Sequence, residues 1–251
     1  MTLLAELVET SDRVAETPAR LAKVRALAER LRALEGDEIA IGAQHLSGSV
    51  PQGRLGIGYA VLQAAGNGDR AAHPSLTVAD VDRRLGEIAV MRGTGAAALR
   101  VEALRALFSL ATAAEREFLI RLLAGELRQG ALAGVMTDAI AAAAGLSPAP
   151  VRRAMMYAND VGAVARAALL EGDAGLAAFQ LEVLSPIAPM LAQTASDPAD
   201  ALRQLGGEAA IEWKMDGARI QAHKSGDTVA IYTRNLNEVG AAVPEIVATV
   251  A

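Results

Sequence analysis

The amino-acid sequence predicts a mainly α protein: an all-α helical bundle over residues 1–184, a linker and lead-in helix over 185–206, and over 207–251 the first β-strands of an α+β domain that is incomplete in this chain. Three observations predict it. From Met1 to about Leu184 apolar residues recur at helical spacing nearly throughout. Ser185-Pro186-Ile187-Ala188-Pro189-Met190-Leu191-Ala192 then breaks the pattern with two prolines, which cannot continue a helix and which restrict the residue before them. Beyond Glu208 the apolar period changes to two.

Each element follows from local chemistry. Thr17-Pro18 reads as an N-cap followed by proline at the first helical position, opening a helix with Leu21, Val24, Leu27, Leu31 and Leu34 on one stripe; Gly36-Asp37 stops it and starts another. Residues 47–58 are rich in Gly, Ser and Pro and read as a loop. A short helix containing Tyr59 and Leu62 ends at Gly66-Asn67-Gly68-Asp69. A second series starts at Thr77, with Asp80 in the capping-box position and Val78, Val81, Leu85, Ile88 and Ala89 as the buried face; Gly93-Thr94-Gly95 ends it. Thr112 and Glu115 form another capping box, ahead of Phe118, Leu119, Leu122, Leu123 and Leu127. Helices are expected at about Val135–Ala144, Pro148–Ala158, Val161–Leu170 and Pro198–Leu205. Strands are expected at Ala209–Met215, Arg219–His223 and Thr228–Thr233, with Lys224-Ser225-Gly226-Asp227 as a hairpin turn, and a helix begins within Asn237–Ala251 with Pro244 at its first turn.

Composition narrows the function. Hydrophobic residues are 52% of the chain, yet no apolar run reaches the length of a membrane span and the start lacks a basic flank, so a soluble, unexported protein with no membrane partner is expected. The absence of cysteine excludes disulfides, thiolate metal sites and cysteine nucleophiles. His45, His73 and His223 are scattered and read as surface or partly buried residues, not as ligands. The net charge of -5 argues against an overall basic nucleic-acid binder. Its distribution softens that: Arg83 to Arg166 holds eleven arginines and no lysine against seven acids, a local balance of +4 that permits a DNA-facing module.

Only three lysines occur, and one of them, Lys214, sits in Glu212-Trp213-Lys214-Met215-Asp216-Gly217-Ala218-Arg219, among apolar and acidic neighbours where an amine can be desolvated. A lysine can lose its proton and act as a nucleophile; an arginine cannot. Gly217 lets the backbone approach a ligand, and Arg219, two residues on along an extended chain, points to the same side and reaches a phosphate.

The spelling Lys-x-Asp-Gly-x-Arg resembles the nucleophile motif of the covalent nucleotidyltransferases, the superfamily of ATP-dependent DNA ligases, RNA ligases and mRNA capping enzymes. The Pro189-Met190-Leu191-Ala192 lead-in and Tyr232-Thr233-Arg234-Asn235 resemble the flanking motifs of the DNA ligases in the same order. The second helical series resembles the helical DNA-binding domain of those ligases, on Glu117-Phe118-Leu119-Ile120-Arg121-Leu122-Leu123, Gly125-Glu126-Leu127-Arg128-Gln129-Gly130-Ala131, Asp138-Ala139-Ile140 and Val151-Arg152-Arg153-Ala154. The family usually has an aliphatic residue where Gln129 stands, and residues 1–76 resemble it less distinctly.

The resemblance implies that Lys214 attacks the α-phosphate of ATP with Mg²⁺, that Glu212 selects adenine, that Arg219 and Arg234 contact nucleotide or nick phosphates, and that Asp216 and Gly217 set the loop. It implies nicked double-stranded DNA as partner, gripped across the minor groove by Gly93, Thr94, Gly95, Arg128 and Gly130, and a bacterial cytoplasmic, nucleoid-associated location. On spacing alone those glycines are ordinary helix C-caps. The family's metal-binding glutamate and later lysines would lie after Ala251, so no metal ligand is expected within this chain and it is expected to bind DNA without sealing nicks by itself. Two other readings fit parts of the pattern: an RNA ligase or capping-type enzyme, against which the long helical domain ahead of Lys214 counts, and a non-enzymatic helical DNA-binding module.

Overall fold

A computed structural model describes residues 1–53, 55–127, 133–189, 194–213 and 215–251. The chain divides into two compact units, Met1–Gln180 and Leu181–Ala251. The first holds helices α1 (Leu4–Glu16), α2 (Arg20–Ala33), α3 (Glu38–Ser47), α4 (Tyr59–Gly66), α5 (Val78–Val90), α6 (Ala96–Ser109), α7 (Ala113–Ala124), α8 (Ala133–Ala144), α9 (Pro148–Ala158) and α10 (Val161–Ala177). The second holds α11 (Pro198–Gln204), the hairpin β1 (Ile220–Ser225) and β2 (Thr228–Thr233), a 3-10 turn at Gly240–Ala242, and α12 (Pro244–Val250). The architecture is mainly α, with a two-stranded antiparallel sheet.

The first unit buries two apolar clusters. One gathers α2, α3, α8, α9 and α10 around Leu27, Leu31, Leu46, Ile140 and Val164; the other gathers α4 to α7 around Leu62, Leu85, Leu104, Phe108 and Leu119. Helix α1 serves both, sending Leu7 and Val14 into the first cluster and Leu4 and Val8 into the second. These residues sit at helical spacing, so a single broad apolar stripe faces two neighbours. The expected capping boxes form: the Thr77 hydroxyl accepts from the Asp80 N–H at 3.0 Å, and the Glu115 carboxylate accepts from the Thr112 N–H at 2.8 Å.

Helices α2 and α8 run side by side in one direction. Arg20, at the start of α2, donates to the Gly134 carbonyl at the start of α8, while Arg32, near the end of α2, donates to the Ala142 and Ala143 carbonyls at the end of α8. Arg32 thereby supplies donors and positive charge to a helix C-terminus whose last carbonyls lack intrahelical partners.

Helices α3 and α10 cross at Gly162. A Cβ added there would stand 2.7 Å from the Ala40 carbonyl oxygen and 3.1 Å from Gln44 Cγ. The crossing is tied by Asp160, whose Oδ1 accepts from Gln44 Nε2 at 2.8 Å and from the Gly162 and Ala163 amides. On helix propensity alone Gly162→Ala would stabilise by up to about 1 kcal/mol. A methyl group pressed on backbone outweighs that, since overpacking costs roughly 1–3 kcal/mol. Gly162→Ala is therefore expected to lower the denaturation midpoint, and an unchanged or raised midpoint would show that α3 yields freely.

Several expectations need correction. Helix α2 is capped at Ala19 and not at Thr17; the Thr17 hydroxyl instead accepts from the Ala19 N–H, and Leu21 is exposed. Helix α10 runs on past Leu170 to Ala177 through a kink at Gly172, whose φ of 62° is open to glycine. The hairpin turn is the two residues Gly226-Asp227, because Lys224 and Ser225 stay paired in β1, with Ser225 opposite Thr228. The strand expected at Ala209–Met215 is absent from its described residues: the alternating Ile211, Trp213 and Met215 are 95%, 93% and 85% exposed, and nothing pairs with their backbone. A strand needs a partner for its ladder, and period-two spacing by itself does not supply one. His45, expected at the surface or partly buried, is fully buried.

In the second unit the proline segment is docked on the hairpin by side chains. The Gln221 amide brackets Ile187, accepting from its N–H at 3.0 Å and donating to its carbonyl at 2.6 Å, and the Tyr232 hydroxyl donates to the Leu184 carbonyl at 2.5 Å. A side-chain amide carries one acceptor and two donors, so Gln221 bonds Ile187 as a neighbouring strand would. No helix among the described residues is long and apolar enough to cross a membrane.

Candidate functional site

The hairpin brings two of the expected phosphate-contacting residues together. Its register pairs Ile220 with Thr233, so the next residues out, Arg219 and Arg234, leave the ladder at the same end on facing strands. Both are exposed. Arg234 sits on a tight loop closed by Thr233, whose N–H donates to the Asn237 carbonyl at 2.9 Å and whose hydroxyl accepts from the Asn237 N–H at 3.3 Å. The chain then turns back along β2, with the Val239 N–H donating to the Ile231 carbonyl and Glu238 bridging Tyr232. The loop thus holds Arg234 from both sides, and the turn places Leu236 at φ 63°, a conformation L-residues rarely adopt outside over-determined sites.

Lys214 lies outside the described residues. Its neighbours Glu212, Trp213, Met215, Asp216 and Gly217 are exposed and extend from the hairpin without joining it. A shallow concave surface of about 550 Å³, lined by Leu202, Gly207, Glu208, Ala209 and Ala210, lies just ahead of Glu212 in the chain. None of Glu212, Arg219 or Arg234 lines it.

In the first unit, Gly93, Thr94 and Gly95 form an exposed loop between α5 and α6, with φ of 89° at Gly93 and 82° at Gly95. A Cβ added at either glycine would meet nothing within 4 Å, so glycine is required by the backbone conformation, not by crowding. Two guanidiniums converge beside this loop: Arg92 and Arg100 both donate to the Met91 carbonyl, at 3.1 and 2.5 Å. The end of α5 is thereby satisfied by cations, and an exposed backbone turn is left next to positive charge. Arg128 and Gly130 lie outside the described residues.

Sequence reasoning missed the role of Gln221, whose bond to Ile187 spans 34 positions, and the cluster of Arg20, Asp138 and Arg152, of which only Asp138 and Arg152 had been noticed, as carriers of likeness. One signal was present for Arg20. It is a basic residue at the first position of a helix, where the dipole disfavours it.

Comparison with known proteins places these features in a family. The family described as "ATP dependent DNA ligase domain" matches residues 189–251, and "DNA ligase N terminus" matches residues 59–141. A "Probable DNA ligase" of Anaeromyxobacter dehalogenans (strain 2CP-1) is 58% identical over 248 residues, 98% of this chain and 48% of that protein. Proteins of the same name from Mycolicibacterium gilvum and Sorangium cellulosum are 52% and 49% identical, again over 98% of this chain and over 48% and 46% of their own lengths. The chain spans about half the length of the curated relatives it matches. With both domain types in order along one chain and such identity over nearly all of it, the chain belongs to the ATP-dependent DNA ligase family.

Proposed function

We propose that this chain is the DNA-holding and adenylate-accepting portion of an enzyme that seals nicks in duplex DNA with ATP, acting in replication, repair or recombination on the bacterial nucleoid. The observation that carries the reading is the 58% identity with a probable DNA ligase over 248 residues, and the hairpin register that brings Arg219 and Arg234 out at one end supports it.

In the proposed reaction the neutral Lys214 amine attacks the α-phosphorus of ATP. The new N–P bond forms as the P–O bond to pyrophosphate breaks, and the amine proton is released to solvent. The adenylate then passes to the 5′-phosphate at a nick, freeing Lys214, and the 3′-hydroxyl displaces AMP to close the strand. Arg219 and Arg234, leaving the hairpin at one end, offer planar bidentate donors to the phosphates in these steps. Glu212 accepts from the adenine amino group and sets base choice, while Asp216 and Gly217 shape the turn around the lysine. Magnesium, when bound, would offset the charge on the phosphate oxygens of the triphosphate.

The full-length protein incubated with ATP labelled at the α-phosphate is expected to retain the label covalently, to retain none from the γ-phosphate, and to pass it to nicked duplex. Labelling by GTP alone would favour a capping-type enzyme, and no labelling by either would leave the non-enzymatic reading. Binding of nicked duplex is expected to weaken steeply with salt, and Arg128→Ala is expected to flatten that dependence by about one unit of log–log slope. A slope unchanged by the substitution would remove Arg128 from the interface.

A further inference from the structure

We propose that Arg20 and Arg152, held by Asp138 where α2, α8 and α9 meet, form a clamp for the sugar–phosphate backbone of duplex DNA, separate from the Gly93–Gly95 loop. The proposal rests on the DNA-binding reading above.

Arg20 Nη2 donates to Asp138 Oδ2 at 2.6 Å and to the Gly134 carbonyl at 3.0 Å, and Arg152 Nη2 stands 3.8 Å from Asp138 Oδ1. Among the described residues Asp138 is the one carboxylate in ion-pair range of either arginine. Two guanidiniums thus share a single negative charge, and the cluster is left with a net charge of about +1 at a surface where both side chains are more than half exposed, at 57% and 64%. The neighbouring Arg153 is exposed as well.

Arg20 ties α2 to α8 through these bonds, yet the tie accounts for one positive charge and not for the second guanidinium of Arg152 on the same carboxylate. Arg20 occupies the first position of α2, where a cation opposes the helix dipole by about 0.3–1 kcal/mol. The first turns of α2 and α8, which start at the same end, contain no acidic residue. An anion arriving there meets two planar donors already aimed by Asp138 and by the Gly134 carbonyl, so little side-chain freedom remains to be lost on binding. The Arg20, Asp138 and Arg152 cluster contains no aromatic side chain, and its guanidiniums are held edge-on to a carboxylate as planar donors. The site therefore suits phosphates along a backbone instead of bases, and it fits recognition indifferent to sequence.

The test is the salt dependence of binding by the full chain to a fluorescent nicked duplex. The double variant Arg20→Gln with Arg152→Gln keeps a polar amide on a shorter stem and removes both charges. It is expected to bind roughly tenfold more weakly or worse at moderate salt, with a log–log salt slope shallower by about 1.8. Should that variant unfold, Arg152→Gln alone, which removes no main-chain bond, is expected to flatten the slope by about 0.9. Asp138→Asn separates positioning from charge. On charge alone, losing a carboxylate from a DNA-facing surface tightens binding; as a positioning residue Asp138 is expected to weaken it on removal, and a tighter complex would overturn that role. Wild-type binding with variants of unchanged slope would overturn the clamp and leave the DNA-binding reading standing, whereas failure of the wild-type chain to bind duplex at all would overturn both.

Discussion

Replacing Lys214 by alanine in the full-length protein is expected to abolish covalent adenylation and to lower nick sealing from ATP by on the order of 10⁶-fold, the scale seen when a covalent nucleophile is deleted. Lys214→Arg is the more discriminating substitution. An arginine keeps the positive charge and reach but cannot present a neutral nitrogen, so it is expected to be as inactive as alanine. If Lys214 served only as a cation for the triphosphate, the arginine variant would keep much of the activity, and that result would remove the nucleophile assignment. A second arm locates the defect. When nicked DNA already carrying 5′-adenylate is supplied, the lysine's work is complete, and both variants are expected to close the strand with release of AMP. Failure on that substrate would mean that the substitution had damaged DNA or nucleotide binding.

What was legible beforehand divides by distance along the chain. The capping boxes at Thr77 and Thr112 were readable because donor and acceptor lie three residues apart, and the structure makes both. So was the hairpin, where glycine acts on its immediate neighbours. The start of α2 was misread within this same local range: Thr17-Pro18 has the composition of a helix start, but its hydroxyl closes a turn one step earlier. Period-two spacing at Ile211, Trp213 and Met215 shows what a strand would place on one face and is silent on whether a partner strand is at hand. For the candidate site, the sequence order of Lys214, Arg219 and Arg234 was visible, yet the meeting of the two arginines depends on register: Arg219 faces Arg234 only because Ile220 pairs with Thr233. The Arg20–Asp138 pair spans 118 positions and left only its unfavourable helix position as a trace.

The burial of His45 belongs to the same class of long-range consequence, and it makes the fold sensitive to pH. His45 sits in the last turn of α3, fully buried, and among the described residues neither ring nitrogen has a hydrogen-bond partner. Burial disfavours the imidazolium and pushes its pKa from 6.5 down to about 4. The sign follows directly: between those values the unfolded chain takes up a proton that the folded chain refuses, so stability is complete above pH 6.5 and falls as the pH drops. The fall between pH 7 and 5 is expected to be about 2 kcal/mol. Glu6 and Asp80 do not obscure this window. Burial raises the Glu6 pKa, but the Leu3 N–H and the Arg30 guanidinium outweigh it, while hydrogen bonds from Thr77 lower that of Asp80, so both begin to withdraw their stability only below their ordinary values of 4.5 and 3.8. His45→Leu, close in volume and free of orphaned polar atoms, is expected to flatten urea-unfolding stability across pH 7 to 5 and to exceed the wild type at pH 5. A wild-type profile that is already flat there, or a leucine variant with the same slope, would show that the imidazole finds its proton in the folded state.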